Sequence, residues 1–515
     1  MKSTKFLAIL LSICLIFSFT GCGIINRFTE QQVETPDDSN SVTDIPTTPD
    51  DDGNENVGGN GNGNNDGNEN GDGNNNGTNN GGESNNTPFS INVIMVNDNH
   101  GILNEDDGSL DKIASGISYY ESLGNVVKIA NGDMFQGTYV SSTLRGLPML
   151  EALNELDFDA FVIGNHEFDW GLDEMKKYKD GDLTNGEAEF PFLGANIIDK
   201  RTGEMVDWLE PYTVVEIDGT KIGIIGVIGE VESSIMASHV ADYDFVEPSE
   251  IIAELAHELR TIEGCEVVIV ATHGDNDSLN YTLSGYTDTA LIDGIFTGHS
   301  HTPTDDEITR NHADDLCVLQ NGGYGESFAT LTLTFDGKGD LIDTDGQLNY
   351  TYRYSAEGIL SPVFEKYAEY MSIGDTVLFT IDHSISRYEV GLSVAQSMYV
   401  KYGVDFAVIN SGGVRTSIDA GEVTYAEIFQ ILPFENEVYI VTLTGERLKS
   451  YLNQAGGIYY WGINVNTIVD SEYYSFATVD YVYLGSYFSD YRNDTCIDTN
   501  ELIRDVFIEL LSETM

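Results

Sequence analysis

Five short apolar runs in the middle of this chain end in the same kind of residue. Residues 91–96 lead into Asn97-Asp98-Asn99-His100-Gly101, and 126–130 into Asn131-Gly132-Asp133. Residues 158–163 lead into Gly164-Asn165-His166-Glu167, 267–271 into Thr272-His273-Gly274, and 291–296 into Thr297-Gly298-His299-Ser300-His301. The chain has 9 histidines, and His100, His166, His273, His299 and His301 all stand at these ends, accompanied by Asp98, Asp133 and Asn165. One histidine in such a place is ordinarily a hydrogen-bonded loop or core residue; this many in one setting ask for a common cause. Imidazole, carboxylate and amide oxygen form a mixed N/O ligand set without thiolate. It suits Zn²⁺, Mn²⁺, Fe²⁺ or Co²⁺ rather than Cu(I) or a structural zinc. His239, His257, His312 and His383 lack this setting and read as structural or surface residues.

The elements that must position these groups read as short strands, with helical stretches such as 252–260 between them. Alternating strands and helices give a layered α/β body, in which sites gather at the carboxyl ends of strands. With 515 residues, 41% of them hydrophobic, the chain is long enough for two or three domains.

Taken together, Asp98-x-His100, Gly132-Asp133, Gly164-Asn165-His166-Glu167, His273 and Gly298-His299-Ser300-His301 resemble the calcineurin-like metallophosphoesterases. The longer strings NDNHG, NGDMFQGT, GNHEFDWG and GHSHT resemble the 5′-nucleotidase branch of that family, which includes UDP-sugar hydrolases and 2′,3′-cyclic-nucleotide phosphodiesterases. The resemblance spans roughly 90–515. It implies a four-layer α/β/β/α metallophosphoesterase sandwich over 89–350, a linker helix over 351–374, and a second α+β substrate-binding domain over 375–515. It implies two divalent metal ions, one held by Asp98, His100 and His301, the other by Asn165, His273 and His299, with Asp133 bridging. The family often has Gln where His301 stands, which tilts the first site towards softer metals such as Zn²⁺. His166 would face the scissile phosphate, and Asp169 would orient it and keep it cationic. Asp169 has a second reading, as a helix N-terminal cap for the run that begins near Gly171.

The second domain is read from Asn410-Ser411-Gly412-Gly413-Val414-Arg415 and Leu432-Pro433-Phe434. These resemble the nucleoside-contacting motifs of the nucleotidase C-terminal domain, with Asn410, Arg415 and the stacking face of Phe434 as substrate residues. A glycine turn with a solvated Arg, and a Phe in the core, are the alternatives. The family's Arg is missing in register from 384–392, with Arg387 one turn away, and only the aromatics of the second jaw survive, within 480–488.

The amino terminus reads as an address. Lys2 and Lys5 precede an apolar run that ends in Phe19-Thr20-Gly21-Cys22. Residues 1–22 have the layout of a signal peptide with a lipobox, Cys22 being the lipid anchor; ordinary cleavage and secretion is the alternative. Residues 23–88 are rich in Gly, Asn and Asp and poor in large apolar side chains, the composition of a disordered tether rather than of a calcium-binding repeat. Lys and Arg number 24 against 85 Asp and Glu, a net charge of −61. That excludes a polymeric nucleic-acid partner on an extended face and a polybasic membrane grip, leaving the lipid as the membrane contact. Phosphate would then depend on the metals and Arg415 for positive charge.

The expectation is a bacterial lipoprotein on the outer face of the cell membrane that hydrolyses nucleoside 5′-monophosphates to nucleoside and phosphate. Cyclic nucleotides or UDP-sugars on the same scaffold are alternatives. A surface-binding lipoprotein without catalysis is the alternative from another class.

Overall fold

The strands Phe89–Val96 and Asn125–Asn131 lie side by side in parallel, Val93 opposite Val127, and are buried on both faces over most of their length. Burial on both faces explains why they read as continuous apolar runs rather than as alternating ones. This computed structural model describes residues 87–103, 110–274, 276–492 and 496–514; the expected leader, Cys22 and the expected tether up to residue 86 lie outside the described residues.

Two six-stranded sheets build the body. The first runs Leu341–Tyr350, Ser327–Phe335, Phe89–Val96, Asn125–Asn131, Ala160–Val162, Phe192–Leu193; the second runs Thr304–Ile308, Leu316–Gln320, Gly294–Phe296, Val267–His273, Thr220–Ile228, Tyr212–Ile217. The inner strands of each are parallel, so their carboxyl ends emerge on one side.

Alternation along the strands sorts the side chains into layers. Ile91, Val93, Met95, Val127 and Ile129 pack against Ile222, Ile224, Val267, Ile269 and Phe296 between the two sheets. On the far side of the first sheet, Ile94 and Val96 meet Ile113 and Ile117 of the helix Leu110–Leu123, Leu150 of Leu147–Glu155, and Val363 and Tyr367 of Ser361–Gly374. On the far side of the second, Ile225, Val268 and Val270 meet Ile252 and Ala256 of Ser249–Glu258, and Leu279 and Leu283 of Asp277–Ser284. The layers are therefore α/β/β/α.

After Ser361–Gly374 the chain builds a separate five-stranded sheet, ordered Ile458–Gly462, Phe406–Asn410, Tyr473–Val479, Glu437–Thr444, Ile497–Leu502. Arg387–Tyr402 and Ile503–Thr514 cover one face through Val390, Val394, Met398 and Phe507. Gly445–Gln454 covers the other through Leu448 and Tyr451. Two capping boxes, Ser386 with Glu389 and Thr424 with Glu427, start the helices Arg387–Tyr402 and Tyr425–Ile431. Tyr139, in the first body, sets its ring edge-on to Tyr425 and Phe429, and Arg145 pairs with Glu435 at 3.0 Å.

Candidate active site

The strand ends converge. Asp98 and His100 follow Phe89–Val96; Asp133 follows Asn125–Asn131; Asn165 and His166 follow Ala160–Val162. His273 closes Val267–His273, and His299 and His301 follow Gly294–Phe296. Asp98, His100, Asp133, His299 and His301 all have positive φ, between 51° and 76°. Such backbone is costly for residues with a Cβ and persists only where the surroundings overdetermine it, which here turns each side chain inward across the sheet edge. Gly132 permits the crowding: a Cβ there would lie 2.3 Å from Nδ1 of His273.

Three groups of donor atoms lie within 4.8 Å of one another: Asp98, His100 and His301; His100, Asp133 and His166; and Asp133, His273 and His299. His100 Nε2 faces His301 Nε2 at 3.0 Å, and His301 Nε2 stands 3.2 Å from Asp98 Oδ1. His273 Nε2 is 3.2 Å from both Asp133 Oδ2 and Asn165 Oδ1, and His299 Nδ1 is 2.7 Å from Asn165 Oδ1. All seven ligands expected from the sequence are thus brought together, with Asp133 between the two clusters.

The polar bookkeeping asks for cations. His100 Nδ1 meets the Gln136 carbonyl at 3.1 Å and His273 Nδ1 meets the Asn131 carbonyl at 2.8 Å. A carbonyl only accepts, so both Nδ1 atoms carry the proton, and in the neutral ring each Nε2 turns a lone pair inward. Asp98 Oδ1 is buried without a hydrogen-bond partner. Lone pairs converging on lone pairs are stable only around positive charge. Burial opposes charge on His273, but Asp133 and Asp98 outweigh it and push its pKa up to about 10. The carboxylates thus draw either a proton or a metal to this point. Burial, reinforced by the charges of His166 and Arg415, holds His100 well below its ordinary range, as a metal ligand needs. The donor set fits divalent cations.

His166 is placed differently. Its Nδ1 lies 2.8 Å from Asp169 Oδ2, while its Nε2 is 3.9 Å from Asp133 Oδ2. Burial works against a charged ring, but Asp169 and Asp133 outweigh it and raise its pKa. Asp169 caps no helix: Leu172–Lys176 is preceded by Gly171 and has no side-chain cap. Glu167 ties the strand ends together, its carboxylate accepting from the amides of Asp133 (2.9 Å), Met134 (3.1 Å) and Gly164 (2.8 Å).

Asp133, Asn165, His166, Asp169, His299 and His301 line a cavity of ≈ 570 Å³, and its opposite wall carries Asn410, Arg415 and Phe434. Phe434 stacks on His166 with ring centroids 5.7 Å apart and planes at 20°. The Arg415 guanidinium sits 6.0 Å from the Phe434 ring centroid. Arg387, set aside in the sequence as out of register, also lines the cavity. It holds the 410–415 loop, donating from Nε to the Val414 carbonyl (2.7 Å) and from Nη2 to that of Ser411 (3.0 Å).

Of the aromatics in 480–488, Tyr481 reaches the cavity, whereas Tyr483 and Phe488 are buried in the domain core. His239, read as structural or surface, lines the cavity with Nδ1 buried and unpartnered. Trp170 and Tyr324 also line it and carried no signal as single residues. Tyr324 had a collective one, because Leu316–Gln320 is a further strand running into Asn321-Gly322-Gly323-Tyr324.

A four-layer sandwich with a His/Asp/Asn cluster at its strand ends defines a metal-dependent phosphoesterase. Comparison with known proteins agrees. Residues 91–303 match the calcineurin-like phosphoesterase family, and residues 380–484 match the 5′-nucleotidase C-terminal domain. A 5′-nucleotidase of Vibrio cholerae is 28% identical over 425 residues, covering 71% of this chain and 75% of its own. The crystal structure of a 5′-nucleotidase precursor from Thermus thermophilus superposes with a TM-score of 0.71 at 20% identity, covering 82% of this chain and 96% of that one. A sulfate thiohydrolase, SoxB, from the same genus superposes with a TM-score of 0.65 at 14% identity over 82% and 94% of the chains. These two superpositions speak for fold alone. The chain carries a calcineurin-like phosphoesterase domain followed by a 5′-nucleotidase C-terminal domain, and it is a metal-dependent phosphoric ester hydrolase.

Proposed function

We propose that this protein hydrolyses nucleotides, nucleoside 5′-monophosphates first among them, to nucleoside and phosphate. The observation that carries this reading is the single cavity: the metal-ligating cluster forms one wall, and Asn410, Arg415 and Phe434 the other. In this reading two divalent ions, Zn²⁺, Mn²⁺, Fe²⁺ or Co²⁺, occupy the clusters, with Asp133 shared. Such a pair lowers the pKa of a water and neutralises phosphoryl oxygens during in-line displacement.

The chain's own residues supply the rest. Asp169 fixes the proton on His166 Nδ1 and sustains the ring's positive charge, leaving Nε2–H to face the ester. Arg415 is a planar cation for phosphate or ribose, and the Phe434 face accepts a base without strong selectivity. The cyclic-nucleotide and UDP-sugar readings use the same cavity. As for location, we propose an exported protein held to the outer face of the membrane through Cys22. Among the described residues no helix is long and apolar enough to cross a membrane.

The test follows each product with and without chelator and added metals: phosphate from AMP and from an aryl phosphate, a nucleoside monophosphate from 2′,3′-cyclic AMP, and UMP with glucose 1-phosphate from UDP-glucose. Chelator-sensitive turnover with AMP the best substrate is expected. Turnover of the aryl phosphate alone would remove the nucleotide from the reading.

A further inference from the structure

Tyr324 belongs to no motif used so far, yet it touches both walls of the cavity. Its ring stacks on His100, centroids 4.9 Å apart at 28°, and meets His301 edge-on at 5.0 Å and 86°. Its amide donates to the Asp98 carbonyl at 2.7 Å. Its φ is 58°, a costly conformation for a bulky side chain. The loop that carries it is stapled to the residue before Asp98: Asn97 N donates to Asn321 Oδ1 at 3.1 Å, and Asn321 Nδ2 to the Asn97 carbonyl at 3.2 Å. The preceding Gly323 lets the loop come close, since a Cβ there would stand 2.9 Å from the His301 ring. Strain, staple and close approach together fix one phenol against two metal-ligating imidazoles.

The phenol's outer end meets the second domain. Arg415 Nη2 donates to Tyr324 Oη at 3.1 Å. Among the described residues this is the only hydrogen bond of the Arg415 guanidinium, and no carboxylate pairs with it, in a chain carrying 85 of them. A hydroxyl that accepts from a guanidinium is polarised into a better donor, and its own proton is directed away from that bond. Also lining the cavity, Gln136 of the first body is 2% exposed, and its Nε2 is buried with no partner. The cavity thus presents a guanidinium that meets no carboxylate, a hydroxyl proton turned away from it and an unpartnered amide, beside the expected metal ligands.

We infer that Tyr324 is a substrate-positioning residue: its Oη accepts from Arg415 while its O–H donates to a phosphoryl oxygen of the ester, so the pair acts as one anion-binding unit. The inference rests on the phosphoric ester hydrolase activity and not on the choice of nucleotide. It is therefore tested with an aryl phosphate as substrate and inorganic phosphate as competing ligand, on the metal-loaded full chain.

Y324F keeps the ring and removes the hydroxyl. It is expected to raise the inhibition constant of inorganic phosphate and the KM of the aryl phosphate together, each by about tenfold, the worth of one hydrogen bond to a charged acceptor. Metal content and thermal midpoint should stay at wild-type values. In an R415A background the same change should add less than about twofold, since the two residues act as a unit. An unchanged phosphate affinity in Y324F overturns the inference. So does loss of metal from Y324F, which would make the residue a strut for His100 and His301. A wild-type protein that cleaves the aryl phosphate but no nucleotide would sink the nucleotide reading and leave this test standing.

Discussion

Asp98, His100, Asp133, Asn165 and His273 are at most 2% exposed and stand at the ends of strands packed on both faces. Asn410, Arg415 and Phe434, across the same cavity, are each only half-buried; Asn410 ends the strand Phe406–Asn410, and Arg415 and Phe434 sit in the segments after a strand and a helix. The first wall is held by strained backbone and by Glu167, which grips three amides. The second is held chiefly by Arg387 and by contacts made across the cavity, such as Phe434 on His166. Chemistry at phosphorus requires donors placed to a fraction of an ångström, so its wall is rigid. Substrate choice tolerates a wall with fewer constraints.

Four experiments would break or sharpen this contrast. The largest effect is expected from Asp133→Asn. The position shared by two donor clusters loses its charge, metal content by elemental analysis should fall, and kcat/KM should drop by about a thousandfold or more, given the several kcal/mol that metal ions supply. Full metal occupancy in this variant would remove Asp133 from the ligand set.

His166→Ala comes next. Turnover should fall by about a hundredfold or more while metal content stays unchanged, the signature of a group that acts on the ester and not on the metal. Metal loss would instead place His166 among the ligands, as its grouping with His100 and Asp133 allows.

Phe434→Ala probes the other wall. KM for nucleoside monophosphates should rise by about tenfold, the worth of a stacked base, with the turnover of an aryl phosphate little changed. Equal losses on both substrates would mean that Phe434 serves by packing on His166.

The smallest effect concerns Asp480, at the edge of the same wall. Burial raises its pKa to about 6. A carboxyl whose pKa is higher folded than unfolded destabilises the fold progressively as pH rises from the unfolded value of 3.8 through about 6. Asp480→Asn should therefore be more stable than the wild type at pH 8, by about 1–2 kcal/mol in denaturant titrations, and no more stable at pH 3. A difference independent of pH would show that the carboxylate is compensated by the amides it accepts from.

How much was legible beforehand follows from the same contrast. Asp98, His100, Asp133, Asn165, His166, His273, His299 and His301 could be picked out as a group because ligand chemistry restricts residue type and each lies within a few residues of the end of an apolar run; the division into seven expected ligands and His166 came from the resemblance. The layered fold was legible for a related reason: strands buried on both faces must be continuously apolar. His239 was not legible as a cavity residue; Arg387 was legible only as an Arg one turn out of register, Tyr481 only as one of several aromatics in 480–488, and Tyr324 only through the strand that runs into its loop. Arginine, tyrosine and histidine serve equally well on a surface, and nothing local distinguishes Tyr481, facing the cavity, from Tyr483, buried in the core two residues on.

By itself, the sequence determined the class of chemistry, because the donor types and their place at strand ends are local properties of the chain. It also determined that phosphate must find its positive charge in one spot, since a chain of net charge −61 offers little elsewhere. Only the tertiary structure decided which residues share the cavity. Phe434 on His166, Arg415 on Tyr324, and the phenol on His100 join positions far apart in the chain. Those contacts depend on how sheets and domains pack, and packing is a property of surfaces that no local pattern encodes.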